Sequence, residues 1–132
     1  YDVVAHWDRL DWQDHWKRFW TKKLYDRDLP SLEMGRGYWV NVTSDSFIEF
    51  IGRVPENTSV MLYKSWNMIG YASYADATIE AVFQGLPLLE MEGFDISAIP
   101  YGLRELDFTE NMNAGEAYWV RVGEHFLWTV GN

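Results

Sequence analysis

Aromatic rings and carboxylates are the side chains of this sequence that could do chemistry. The densest aromatic cluster is interleaved with basic residues and comprises Trp12, Trp16, Lys17 and Trp20. Exposed rings of this kind stack on sugar faces or bury against a partner protein. The cluster is therefore the candidate ligand-binding surface, and the alternative is that its rings are structural and buried.

Aspartates recur every third residue at Asp8, Asp11 and Asp14, with His6 and His15 nearby. Oxygen ligands in a loop are what Ca²⁺ prefers, but a calcium loop has a tighter ligand alternation and a glycine, which this stretch lacks. We therefore expect capping aspartates in a solvated turn, with a calcium site as the weaker alternative. The histidines are too scattered for zinc, so no metal or cofactor is predicted.

Two carboxylate pairs would each point to one side of a strand and could imitate a glycosidase pair: Glu90 with Glu92, and Glu105 with Asp107. Such pairs are expected by chance among 20 acidic residues. The sequence has neither a serine nucleophile elbow nor a phosphate-binding glycine loop. We therefore predict no catalytic residue, and the alternative is a polysaccharide- or peptide-hydrolysing domain that uses cleft carboxylates.

The length, charge and hydropathy of the chain exclude several classes of function. The chain has 132 residues, 17% aromatic content, no cysteine and a net charge of -9. This length predicts one compact domain over 1–132. The acidic balance opposes a nucleic-acid partner, and no apolar run approaches the ~18 residues of a membrane span. Because the chain begins at Tyr1, we expect a mature fragment or an excised domain.

The sequence repeats itself. Residues 35–42, Gly-Arg-Gly-Tyr-Trp-Val-Asn-Val, match residues 115–122, Gly-Glu-Ala-Tyr-Trp-Val-Arg-Val, at an offset of 80. Residues 47–52 then match 126–131 at an offset of 79. We infer a duplication with a partial first copy (1–52), a connecting turn (53–59) and a complete second copy (60–131). The motif residues are expected to be structural: Gly35, Tyr38, Trp39, Trp66, Asn67, Gly70, Gly115, Tyr118 and Trp119.

These patterns predict a mainly β fold, in which antiparallel hairpins form a small sandwich or barrel-like core with one or two short helices. Each Tyr-Trp-Val strand is predicted to pair with the apolar run after it, at 47–51 or 126–130. Residues 60–64 and 67–71 form a third predicted hairpin, and 3–7 and 88–92 are further strands.

One segment, 76–85, is predicted to be a helix, with Asp76 as N-cap and termination at Gly85. The segment 12–24 remains open between two structures. Helical periodicity places its Trp residues and Phe19 on one face, whereas the same residues could form a twisted edge strand.

The first copy lacks the front section, about residues 60–86, that the second copy has. Its apolar face is therefore expected to need covering. The second copy's front could serve both copies, a second chain could complete the gap, or the natural protein could continue upstream. We favour the first arrangement because 132 residues make one core. Two glycosylation sequons, at Asn41 and Asn57, fit an extracellular setting.

Several motifs resemble a known repeat. Residues 65–73, Ser-Trp-Asn-Met-Ile-Gly-Tyr-Ala-Ser, resemble the GWNLIGYPS opening of a tandem repeat in secreted and surface-layer-associated proteins of archaea and some bacteria. Residues 32–40 resemble its LxPGxGYWI closing, and 14–19 resemble its DxWKxY middle. The chain departs from the pattern at Ser65, Ala72, Glu116 and Ala117. The resemblance implies a structural repeat, and it favours a short strand at 15–20.

The predicted function is a non-catalytic structural or adhesive module of a larger extracellular or cell-surface protein. Its expected partners are neighbouring domains of the same polypeptide and a glycan or surface protein that binds the aromatic cluster. A homophilic assembly module that uses the incomplete first copy is a further alternative.

Overall fold

The structure is a computed structural model that describes residues 1–25, 27–47, 49, 51–53 and 55–131. Within these ranges the chain is mainly β, as predicted. The elements in chain order are β1 (Val3–Trp7), β2 (Trp16–Trp20), β3 (Trp39–Asn41), β4 (Asn57–Leu62), β5 (Ser65–Gly70), β6 (Ala77–Thr78), α1 (Ile79–Val82), β7 (Leu88–Phe94), β8 (Leu103–Glu105), β9 (Asn111–Met112), β10 (Ala117–Val122) and β11 (Phe126–Gly131).

All the pairs between described strands are antiparallel. A first sheet has the order β2-β1-β3 and comes wholly from the first copy. A central sheet has the order β5-β10-β7-β8, and two short ladders join β11 to β4 and β6 to β9. No sheet formed by the described strands closes on itself, so the layers resemble a small sandwich and not a barrel.

The predicted hairpins of the second copy are wrong in their pairing. β10 pairs with β5 and β7, whereas the next strand, β11, pairs with β4. The chain turns a corner between β4 and β5, where Ser65 has a φ of 87°. The Asn67 side chain holds this corner, since its amide oxygen accepts the Tyr63 N–H and its amide nitrogen donates to the Tyr63 carbonyl. Consecutive strands thus enter different ladders.

Segment 12–24 of the first copy, for which the sequence allowed a helix or a strand, contains a strand. β2 pairs with β1 from Val3↔Trp20 to Trp7↔Trp16, so the helical interpretation of 12–24 is wrong. Alternation along β2 places Trp16 and Trp20 on one face and Phe19 on the other. The predicted strand at 47–51 includes residues 48 and 50, which lie outside the described residues; β3 ends at Asn41.

The predicted helix is shorter than expected. α1 is capped by Thr78, whose hydroxyl accepts the Ala81 N–H, and not by Asp76, whose carboxylate accepts the Ala114 N–H instead. Gly85 has the predicted positive φ, 74°. In the described part of the chain, no helix has the length and apolarity needed to cross a membrane.

The hydrophobic core belongs to the second copy. It lies between the inner face of the central sheet, the β4–β11 ladder and α1, and every member falls between Leu62 and Val130. Phe83 stacks on Trp128 with ring centroids 5.3 Å apart. The members are Leu62, Ile69, Tyr71, Ile79, Phe83, Met91, Leu106, Met112, Tyr118, Val120, Val122, Trp128 and Val130.

β5 joins the two copies because both of its edges are hydrogen-bonded. One edge pairs with β10, and on the other the Gly70 N–H donates to the Gly35 carbonyl at 2.9 Å. The approach is close, since a Cβ on Gly70 would lie 2.6 Å from the Arg36 carbonyl oxygen. The strand at the front of the second copy therefore contacts the turn of the first. β4 begins at Asn57, inside the predicted connecting turn of 53–59.

Candidate functional site

The central sheet has an inner face on the core and an outer face toward the first copy. Along β10, Tyr118 and Val120 are buried on the inner face, so Trp119 and Arg121 lie on the outer face. The strand register places Glu92 beside Trp119 and Glu90 beside Arg121. The outer face thus combines aromatic and charged side chains.

Aromatic contacts join the outer face to the first sheet. The Trp119 ring lies 5.3 Å from the Trp7 ring and 6.1 Å from the Trp16 ring, between centroids, and both contacts are edge-to-face. Trp39 makes a third edge-to-face contact, with Phe94, at 5.3 Å. Such pairs each contribute about 0.5–1.5 kcal/mol beyond their buried area, so the rings help to hold the copies together.

A cleft of about 360 Å³ opens between the two copies, and we call it the aromatic cleft. The first copy lines it with Tyr38, Trp39 and Val40, and the second copy with residues that include Phe94 and Trp119. Its volume falls within the roughly 300–1,000 Å³ of small-molecule sites. Glu92 and Glu116 are its charged lining residues, and none of the described residues that line it is basic.

Glu92 is the free carboxylate of the aromatic cleft. Burial raises the pKa of Glu92, and the negative charges of Glu90 and Glu105 raise it further. No described residue donates a hydrogen bond to Glu92, whereas the Glu90 carboxylate accepts from Arg121 at 2.6 Å. Glu116 is partly occupied, because one of its carboxylate oxygens, Oε2, accepts from both the Tyr118 hydroxyl and the Asn113 amide.

The predicted ligand residues in segment 12–20 have separate environments. Trp16 packs at the junction of the two copies, while Trp12 is 78% exposed in the turn before β2. Trp20 is half-buried, with the Lys23 ammonium 4.0 Å from its ring centroid. Lys17 lies on the opposite face of β2 from Trp16 and Trp20 and forms ion pairs with Asp11 and Asp28.

The aspartates of the predicted turn accept backbone N–H groups. Asp8 accepts from Leu10, Asp14 from Trp16, and Asp11 from Gln13 and Asp14. The hydrogen bond from Lys17 and these N–H groups lower the pKa of Asp11 to about 2. Over the described ranges, no cluster of three or more potential metal ligands is present.

The two carboxylate pairs predicted from the sequence have different outcomes in the structure. Glu90 and Glu92 share the outer face, but Glu92 lies directly opposite Glu105 on β8. Asp107 instead accepts from the Thr109 backbone and hydroxyl. A pairing of Glu92 with Glu105 was beyond sequence reasoning, since the loop between β7 and β8 sets the register.

The repeated tyrosines organise the turns before their strands. The Tyr38 hydroxyl accepts the Glu33 N–H, and the Tyr118 hydroxyl accepts the Asn113 N–H, each at 2.7 Å. Gly35 and Gly115 have φ angles of 80° and 81°, which glycine adopts at little cost. The duplicated motif thus has the same local geometry in both copies.

Phe94 is a cleft residue that the sequence did not identify as a site residue. It lies two residues beyond the predicted strand at 88–92 and is 61% exposed. The alternation of Glu90, Glu92 and Phe94 along β7 is the signal that could have found it. The sequon residues Asn41 and Asn57 are both exposed.

Comparisons of this chain with protein-family models, with curated proteins and with solved structures found no match. The functional interpretation therefore depends on the geometry of the aromatic cleft.

Proposed function

We propose that this chain is a non-catalytic structural or adhesive module of an extracellular or cell-surface protein, and that it binds a group of a glycan or surface protein in the aromatic cleft. The observation that carries the proposal is the cleft itself. It gathers rings from both copies, including Trp39, Phe94 and Trp119, around a volume suited to a small ligand group.

The location of the cleft supports a binding role in a second way. Its walls come from strands of two sheets that already pack through ring contacts, so the walls are held before a ligand arrives. A preformed site loses less conformational entropy on binding than a mobile loop. The exposed sequons and the resemblance to surface-layer repeats support the extracellular setting.

Two exposed rings provide a matched test of the site. Phe94 lines the cleft and Trp12 does not, yet both side chains are largely exposed, so alanine at either position should leave the fold intact. We expect wild-type protein to bind members of an array of glycans and surface glycoproteins. Phe94→Ala should weaken this binding at least fivefold, and Trp12→Ala should leave it unchanged.

The reverse result would place the binding site outside the aromatic cleft. Loss of binding in Trp12→Ala with retention in Phe94→Ala would assign the ligand to segment 12–20. Wild-type protein that binds nothing on the array would leave a spacer without an adhesive role. Mass spectrometry of natively produced protein would test the setting, with glycan expected at Asn41 or Asn57.

A hydrolytic function is the second candidate, favoured by one observation. Glu92 faces Glu105 across two strands, and burial raises the pKa of Glu92, which is the direction that a general acid needs. Such an enzyme would release reducing ends or amines from a polysaccharide or peptide panel. Activity that disappears in both Glu92→Gln and Glu105→Gln would replace the binding proposal with this one.

A further inference from the structure

The polar groups of the aromatic cleft are unequal in what they can offer a ligand. The hydroxyls of Tyr38 and Tyr118 already accept backbone N–H groups, and the Glu116 carboxylate already accepts two hydrogen bonds. The Glu92 carboxylate has no donor among the described residues. A ligand would therefore meet aromatic rings, the unpaired Glu92 carboxylate and the second oxygen of Glu116, and no positive charge among the described side chains that line the cleft.

A neutral sugar ring fits this set of groups poorly. Each sugar hydroxyl that enters a cleft needs a hydrogen-bond partner, because an unpaired buried hydroxyl costs free energy. Its two carboxylates accept but do not donate while ionised, and the Tyr38 hydroxyl, which accepts from Glu33, keeps one O–H donor for a ligand. A sugar ring with several hydroxyls would leave some of them unpaired.

A bare ammonium group also fits poorly. Its three N–H donors each need an acceptor once water is removed, and the rings that form most of the lining supply none, so the two carboxylates would have to hold all three. An alkylated ammonium group has no such requirement. Its charge is spread over methyl groups that contact rings directly, and aromatic faces attract it through their quadrupole.

The charge distribution favours a cation as well. Residues 30–132 contain five basic and fourteen acidic side chains. The basic residue nearest to the cleft along β10, Arg121, is held by Glu90 and lies over the Trp66 ring at 5.9 Å. A cation that approaches the outer face would thus meet net negative charge.

We propose that the aromatic cleft binds a small organic cation with an alkylated ammonium group, held by the rings of Trp39, Phe94 and Trp119 and by the Glu92 carboxylate. The inference rests on the proposed function and names the chemical group that the cleft takes. The cleft is expected to discriminate this cation from uncharged ligands of the same shape by its positive charge.

Titration calorimetry with three probes tests the inference. The probes are tetramethylammonium, choline and 3,3-dimethyl-1-butanol, in which a neutral tert-butyl group replaces the trimethylammonium group of choline. We expect saturable binding of choline and tetramethylammonium, and at least tenfold weaker binding of the neutral isostere. Equal binding of choline and its isostere would overturn the inference.

Two variants locate the site. Glu92→Gln keeps the size of the side chain and removes its charge, so it should weaken choline binding at least fivefold without affecting the isostere. Phe94→Ala should weaken choline binding, and Trp12→Ala should not. Circular dichroism of each variant checks the fold, and unchanged choline affinity in folded Glu92→Gln would contradict the assignment.

The pH gives a further readout on the same protein. Choline affinity should fall as pH drops through the raised pKa of Glu92, and this fall should be absent in Glu92→Gln. Failure of the cations together with Phe94-dependent binding of neutral glycans would overturn the inference and leave the proposed function standing. Absence of any ligand that depends on Phe94 would overturn both.

Discussion

The two copies of the repeat place matching residues in opposite environments. Val120 on β10 is fully buried, whereas the aligned Val40 on β3 is 43% exposed. The contrast grows further along the motif, where Val130 is buried and the aligned Ile51 is 93% exposed. The motif sequence therefore does not by itself determine burial.

The difference comes from the elements that each copy can pack against. In the second copy, β4 pairs with β11, and α1 places Phe83 on Trp128, so the strands have a second layer. The first copy has no corresponding front section. Its sheet instead packs its Trp-bearing face on the outer face of the central sheet.

Local geometry, by contrast, is the same in both copies. The tyrosine hydroxyl accepts the N–H five residues upstream in each, and the preceding glycine has a φ near 80° in each. The duplication therefore preserves the turn, while the aromatic cleft lies where the copies meet. The second copy contains the hydrophobic core, and the first copy forms one wall of the cleft.

The largest difference between the copies is expected at Trp128. This fully buried ring aligns with Glu49, which is exposed in the first copy. Trp128→Ala should lower the free energy of unfolding by about 3–5 kcal/mol, because it removes a large ring from a packed core. Glu49→Ala should change it by less than about 0.5 kcal/mol. Urea unfolding monitored by circular dichroism measures both.

Leu127→Ala is the control on the same strand, since Leu127 is exposed and should tolerate the change. If Trp128→Ala leaves too little folded protein, Trp128→Phe keeps part of the contact and should lower stability by a smaller amount. Equal losses at Trp128 and Leu127 would contradict the placement of the core.

The next largest loss of stability is expected at the junction of the two copies. Gly70→Ala would place a Cβ 2.6 Å from the Arg36 carbonyl oxygen, so the two backbones must separate. We expect a loss of about 1–3 kcal/mol, in the range of overpacking substitutions. Hydrogen exchange should show weaker protection in β1 and β3 than in β10.

Gly52→Ala is the matched control for this junction, because no atom of the described residues lies within 4 Å of the added Cβ. It should leave stability and exchange nearly unchanged. Uniform loss of protection across both copies in Gly70→Ala would show that the two copies unfold together, and would contradict the expectation that the first copy unfolds before the second.

The sequence predicted the strands better than their partners. The strands at 3–7 and 88–92 were found from β-branched and apolar runs, and they are confirmed. The hairpin pairings failed because a short polar connection permits either a tight ladder or a corner. Between β4 and β5, the hydrogen bonds of the Asn67 side chain with the Tyr63 backbone stabilise the corner. Local propensity does not encode these hydrogen bonds.

The candidate site was harder to predict for a related reason. A cluster along the sequence, such as Trp12 to Trp20, need not be a cluster in space, since alternation along β2 divides its side chains between two faces. The cleft residues Trp39, Phe94 and Trp119 lie in three separate strands or strand ends. Only the packing of one sheet on another brings them together.

The two tyrosines should differ at alkaline pH. Burial raises the pKa of Tyr118 to about 12, and it raises the pKa of Tyr38 as well. An unfolded tyrosine ionises near pH 10, so between about pH 10 and 12 the unfolded state loses a proton that folded Tyr118 retains. Stability should therefore fall as pH rises through this range.

Tyr118→Phe should flatten this alkaline slope and cost about 1 kcal/mol at neutral pH, through the lost hydrogen bond from Asn113. Tyr38→Phe should have the smaller effect at neutral pH, because Tyr38 is only half-buried. Unfolding curves at pH 7, 10 and 11 separate the variants. A larger loss in Tyr38→Phe would reverse the ranking of the two copies.

The smallest effect concerns acid pH and belongs to the first copy alone. His6 is buried in β1, donates from Nδ1 to the Gly37 carbonyl at 2.8 Å and accepts from Arg36 at Nε2. Burial lowers the pKa of His6 from 6.5, and the nearby Arg36 charge lowers it further. The unfolded state thus takes up a proton at a higher pH than the folded state, so stability should fall as pH drops through 6.5 toward the folded pKa.

The second copy provides the internal comparison. Residues 4–8 match 91–95 loosely in sequence and pair with equivalent strands, so Gly93 aligns with His6 and has nothing to titrate. Hydrogen exchange at pH 5, corrected for intrinsic rates, should therefore show weakened protection in β1 and β3 relative to pH 7, with less change in β10. His6→Gln should remove this difference, since its amide can donate to Gly37 without gaining charge. Equal acid sensitivity of both copies in wild-type protein and in His6→Gln would show that carboxylates, and not His6, control the acid response.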